Sequence, residues 1–76
     1  MKVIIYTTKD RPFCKRTKEF FKEHNIKYSE KDVGKDEKAA EEMIKLSGHH
    51  EVPVIDIDGR IIVGFDEEKL KGALKL

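Results

Sequence analysis

Cys14 is the only cysteine in the chain, and it closes the segment Arg11-Pro12-Phe13-Cys14. Proline favours the first position of a helix, where its missing N–H costs nothing. Cys14 is therefore expected in the first turn of a helix. Backbone N–H groups there lack intrahelical partners, and a thiolate so placed is stabilised, its pKa falling to roughly 3.5–7.5. Such a thiolate attacks activated esters or disulfides. The competing reading of Cys14 is a small inert hydrophobe in the core. Without a second cysteine no internal disulfide can form.

His49 and His50 are adjacent, and Glu51 follows them. An imidazole within hydrogen-bond reach of a thiol can take its proton and later give it to a leaving group. Adjacent loop residues point in different directions, so one of the two at most can serve. His50, nearer Pro53, is the favoured base, with Glu51 as the group that orients its ring. The plainer alternative is two solvated loop histidines. Cys14, both histidines and a carboxylate are a conceivable zinc set, but adjacent histidines rarely ligate one ion, and no metal is expected. Arg11 either holds negative charge at the mouth of the site or is a solvated surface cation. His24 reads as a cation at a helix C-terminus.

The elements that must position these residues are legible from apolar spacing. Lys2 to Thr8 is a nearly continuous β-branched and aromatic run, the pattern of a strand buried on both faces. From Pro12, the residues Phe13, Thr17, Phe20, Phe21 and His24 recur at spacings of three and four, predicting a helix that Asn25 closes. Ile26 to Val33 begins with alternation and predicts a half-exposed strand, broken by Gly34. Asp36 to Leu46 predicts a second helix with Ala39, Ala40, Met43 and Ile44 inward, ended by Ser47-Gly48. Val52 to Ile57 and Arg60 to Val63 flank Asp58-Gly59, a hairpin signature. Asp66 caps a last helix with Leu70, Ala73 and Leu74 inward. The order β-α-β-α-β-β-α predicts an α/β fold with one mixed four-stranded sheet flanked by helices.

Composition narrows the function. The 76 residues suit a single domain spanning 1–76. Sixteen basic and fifteen acidic side chains leave the chain near neutral, which argues against nucleic acid as a partner. No apolar run approaches the length of a membrane span, so no membrane partner is expected either. A single thiol and no secretory leader pattern point to the reducing cytoplasm. A monomer acting on a small-molecule substrate is the expectation.

Taken together, the strand Lys2–Thr8, Pro12-Phe13-Cys14, Val52-Pro53, Gly59 and Val63-Gly64-Phe65-Asp66 resemble the glutaredoxin branch of the thioredoxin fold. The likeness covers nearly the whole chain. It implies a Cys-Pro-aromatic-Cys site whose first cysteine is the exposed nucleophile and whose second is the shielded resolving thiol. It also implies a cis Val52-Pro53 bond in a loop that faces that site. Here Arg11 stands where the first cysteine would be, and Gly48-His49-His50-Glu51 precedes the proline. The two departures should converge in space, as in a redesigned scaffold or a diverged paralogue. The first functional expectation is therefore a cysteine-nucleophile esterase. In it Cys14 attacks, His50 or His49 is the base, and Arg11, Phe13, Val52 and Pro53 contact substrate or oxyanion. The second is a single-thiol oxidoreductase using glutathione, the first reading needing no cofactor. The third is a redox-inactive binding domain or scaffold.

Overall fold

The apolar N-terminal run forms β1 (Val3–Thr7), and burial on both of its faces sets the layering of the molecule. In the computed structural model, which covers residues 1–76, it is followed by α1 (Pro12–Glu23), β2 (Ser29–Asp32), α2 (Glu37–Ser47), β3 (Val54–Ile57), β4 (Arg60–Val63) and α3 (Glu67–Leu74). The sheet order is β2-β1-β3-β4. β1 runs parallel to β2, with Ile5 opposite Glu30, and antiparallel to β3, with Ile5 opposite Ile55. β3 and β4 form the hairpin, with Ile55 opposite Ile62. This is the mixed four-stranded α/β arrangement that the element order predicts.

Alternation along the strands sorts the side chains into two layers. Val3, Ile5, Ile55, Ile57 and Ile62 pack with Phe20 and Phe21 of α1 and with Leu70 and Leu74 of α3. On the other face Tyr6 and Val54 meet Met43 of α2. Two helices thus cover one face and one helix the other, so both faces of the central strand β1 are dry. Asp58 and Gly59 both have positive φ, at 50° and 92°, the conformation of a tight hairpin turn that matches strand twist. Asp36 caps α2 by accepting the Lys38 and Ala39 N–H groups at 3.0 and 3.2 Å. Asp66 caps α3 by accepting from Lys69.

Three details differ from the sequence expectation. β2 is four residues long rather than spanning Ile26 to Val33. The Ile26 N–H donates instead to Phe21 O at 2.8 Å, and Tyr28 packs on the Phe21 ring. Those contacts tie the segment to the end of α1 before it can enter the sheet. β3 begins at Val54, since Pro53 has no N–H for the ladder. Phe13 is 56% exposed rather than part of the inward face of α1.

Candidate functional site

The C-terminal end of β1, the loop that follows it and the first turns of α1 enclose a cavity of about 520 Å³. Asp10 turns this loop with φ of 70°. Pro12 then starts α1, and its N-cap residue Arg11 offers no side-chain cap to the free N–H groups. Cys14, Lys15 and Lys18 line the cavity from α1, and Glu30 and Asp32 line it from β2. Register explains why Glu30 arrives there. It is the partner of Ile5, whose side chain faces α1, and parallel partners share a face.

Glu30 is the centre of a small polar network. Its Oε2 accepts from the Thr7 hydroxyl at 2.7 Å and from Lys18 Nζ at 2.9 Å. The Thr7 hydrogen bond first, and the Lys18 bond second, hold the Glu30 carboxyl below the ordinary carboxylate value. The same bond to Glu30 raises Lys18. Cys14 is 2% exposed, and burial pushes its thiol up from the ordinary value. The Thr8 backbone amide, Lys18 and Arg11 oppose that rise, while Glu30 adds to it. The expectation of a depressed thiol pKa is therefore corrected: the sulfur sits at the helix start but faces inward, and loss of hydration outweighs the favourable charges. The Thr8 hydroxyl, between the loop and β1, is buried without a hydrogen-bond partner.

The loop before Pro53 reaches the mouth of the site, but none of its side chains hydrogen-bonds to Cys14. His50, Glu51 and Val52 share a separate depression of about 260 Å³ with Thr8 and Arg11. Cys14 lines the larger cavity, which borders this depression at the shared residues Thr8 and Arg11. Both histidines are exposed, and no hydrogen bond joins either imidazole to Cys14 or to Glu51. His49 is held only through its backbone, which donates to Ser47 Oγ at 3.0 Å. The Val52-Pro53 peptide is cis, and Pro53 is buried. His24 packs against Phe20 with the rings tilted by 54° and their centroids 4.5 Å apart. No three His, Cys, Asp or Glu side chains converge as a metal-binding group.

Sequence reasoning missed Thr7, Lys18 and Glu30. The spacing of Cys14 and Lys18, four residues on one helix, was available as a signal, since such residues share a face. Glu30 needed the strand register, which no local pattern supplies.

The sheet order, the helix placement and a cis proline loop beside the start of α1 define a thioredoxin-like domain. The glutaredoxin family profile matches residues 3–62. A glutaredoxin-like 8.6 kDa protein from a rubredoxin operon of Clostridium pasteurianum is 48% identical over 66 residues, 87% of this chain and 88% of that one. Glutaredoxin 3 of Escherichia coli is 37% identical over 65 residues, 86% of this chain and 78% of that one. Among solved structures, the glutaredoxin of Archaeoglobus fulgidus superposes with a TM-score of 0.90 at 30% identity, covering 99% of this chain and 87% of that one. The chain belongs to the glutaredoxin family. Neither the geometry nor these relatives support ester hydrolysis. No helix is long and apolar enough to cross a membrane.

Proposed function

We propose that this chain is a single-thiol member of its family, carrying disulfide exchange through Cys14 alone. The observation that carries the reading is the placement of its one thiol on the cavity at the start of α1, on a glutaredoxin fold whose residue 11 is Arg. The Cys14 thiolate attacks one sulfur of a disulfide. The S–S bond breaks, the other sulfur leaves as a thiolate that takes a proton from water, and a mixed disulfide with Cys14 remains. A thiolate from an external small thiol then attacks the substrate sulfur of that mixed disulfide and releases Cys14. That attack leaves the substrate sulfur joined to the small thiol. A second small thiol attacks the small-thiol sulfur of this disulfide, releasing the substrate sulfur as a thiol and forming the small thiol's own disulfide. Two electrons have then passed from two external thiols to the substrate disulfide, and the protein ends unchanged. Glutathione is the small thiol that the family relationship favours. The setting we propose is a monomeric single domain in a reducing cytoplasm.

Incubation with glutathione disulfide tests this reading. The expected result is one glutathionyl adduct on Cys14, removed by excess glutathione and absent in Cys14→Ser. A protein that stays unmodified while its unfolded form reacts fully overturns it, because Cys14 would then be a packing residue.

A further inference from the structure

Lys18 and Glu30 line the same cavity as Cys14, Lys18 from α1 and Glu30 from β2, and neither belongs to the Arg11–Cys14 segment or to the loop before Pro53. Lys18 lies four residues after Cys14 on α1, on the same helix face. Its ammonium is tied to Glu30 at 2.9 Å, and Glu30 is in turn fixed by the Thr7 hydroxyl of β1 at 2.7 Å. Thr7 is buried, so its hydroxyl anchors the Glu30 carboxylate to the sheet, while the ammonium is on a longer arm; the two side chains are similarly exposed, at 34% for Lys18 and 37% for Glu30. The arrangement places one positive and one negative group beside a thiol whose burial disfavours its ionised form.

We propose that Lys18 and Glu30 are positioning residues for Cys14: Lys18 supplies the counter-charge to its thiolate, and Glu30, anchored by Thr7, limits how much of that charge the sulfur feels. This rests on the thiol-exchange reading for its purpose but not for its test. The step it serves is the one in which Cys14 carries negative charge, both as attacking group and as group released from the mixed disulfide. Lys18 and Arg11 favour the thiolate and Glu30 opposes it. The full set of charged groups on the cavity is Lys9, Asp10 and Arg11 from the loop, Lys15 and Lys18 from α1, and Glu30 and Asp32 from β2. Asp32 is engaged by the Gly34 N–H at 2.8 Å. Arg11 borders the depression that holds His50 and Glu51, so its charge is shared with a second region. Lys18 is the ammonium bound directly to a sheet-anchored carboxylate.

The two residues should move the thiol in opposite directions, which a merely structural role would not do. Loss of packing at either position would hydrate Cys14 and lower its pKa in both variants. The charge argument gives a different pattern. Glu30→Gln removes the opposing carboxylate and frees the ammonium, so the thiol pKa falls by about half a unit or more. Lys18→Met leaves an unpaired carboxylate beside the sulfur, so the thiol pKa rises by a similar amount. The double variant returns towards the parent protein, and Lys18→Arg stays close to it.

The experiment is ultraviolet titration of the Cys14 thiolate in the full chain, with each variant referenced to the same variant carrying Cys14→Ser. Opposite shifts in Glu30→Gln and Lys18→Met support the proposal. Shifts of the same sign, opposite shifts in the reverse sense, or the absence of a shift in either variant overturn it. The titration reads Cys14 whether or not it exchanges with disulfides. Opposite shifts without a glutathionyl adduct would therefore overturn only the exchange reading, and an adduct without them only the positioning pair.

Discussion

Arg11→Cys puts a thiol at the N-cap of α1, and the structure dictates that this thiol, rather than Cys14, becomes the reactive one. Position 11 is exposed, has extended backbone and sits over helix N–H groups that no side chain caps. A thiol there should have a pKa of about 7.5 or lower. Cys14 lies above its ordinary 9.0 because of burial, and loss of the Arg11 charge raises it further. At pH ~7 roughly a quarter of the introduced thiol is ionised, about 25 times the share of a thiol at the ordinary value. The lower pKa also weakens the nucleophile, by about fivefold at a Brønsted slope of ~0.4–0.5. Net of that loss, the introduced thiol is favoured about fivefold over a thiol at the ordinary value, and the burial of Cys14 adds to that. Brief treatment with iodoacetamide, followed by peptide mass mapping, reads the ratio directly. The variant should also gain insulin reduction, which the parent chain with one thiol cannot carry out by a dithiol cycle. Preferential labelling of Cys14 would refute the reasoning, because it would mean that burial and helix position do not order the two thiols as described.

Phe21→Ala should destabilise the domain severely. The ring is fully buried between sheet and helices, and such truncations cost about 3–5 kcal/mol. For a chain of this size the melting temperature should fall by more than about 12 °C, measured by circular dichroism. A second outcome concerns acid. The Glu30 carboxyl is held below its ordinary 4.5 in the folded protein by Thr7 and Lys18, so its contribution is fully present above that value and is lost as pH falls through the folded pKa. Denaturant titrations between pH ~6 and ~3 should therefore show a flatter acid limb for Glu30→Gln than for the parent, and equal slopes would show that the pair adds no pH-dependent stability.

How far the sequence could be read depended on the range of the interaction concerned. The two-faced burial of β1, the caps Asp36 and Asp66 and the Asp58-Gly59 turn are local, and each is visible in a few neighbouring residues. The layering followed from them, because a strand dry on both faces needs helices on both. The site was less legible. Cys14 was placed correctly at the helix start, but position along a helix does not reveal whether a side chain faces solvent or core. The thiol turned inward while Phe13 turned outward, reversing the chemistry expected of it. His50 came near the site mouth, as the loop before Pro53 required, yet it lines a neighbouring depression that shares Thr8 and Arg11 with the cavity of the sulfur, and it makes no hydrogen bond to Cys14. Glu30 reached Lys18 only through pairing with β1, a contact between segments far apart in sequence. No periodicity within Ser29–Asp32 announces it.

The same strand has a consequence for how the molecule behaves towards copies of itself. β2 is one of the two outer strands of the sheet, and three of its four residues, Glu30, Lys31 and Asp32, are charged. An approaching strand would have to dehydrate alternating charges to pair with it, so this border repels extension of the sheet. The opposite border is β4, where Arg60 is followed by Ile61, Ile62 and a partly exposed Val63. The two margins of one sheet are thus unequal in solubility. Changes that neutralise the charges of β2 to alter thiol chemistry would also erode the better guarded margin, leaving a sheet open to strand addition from both sides.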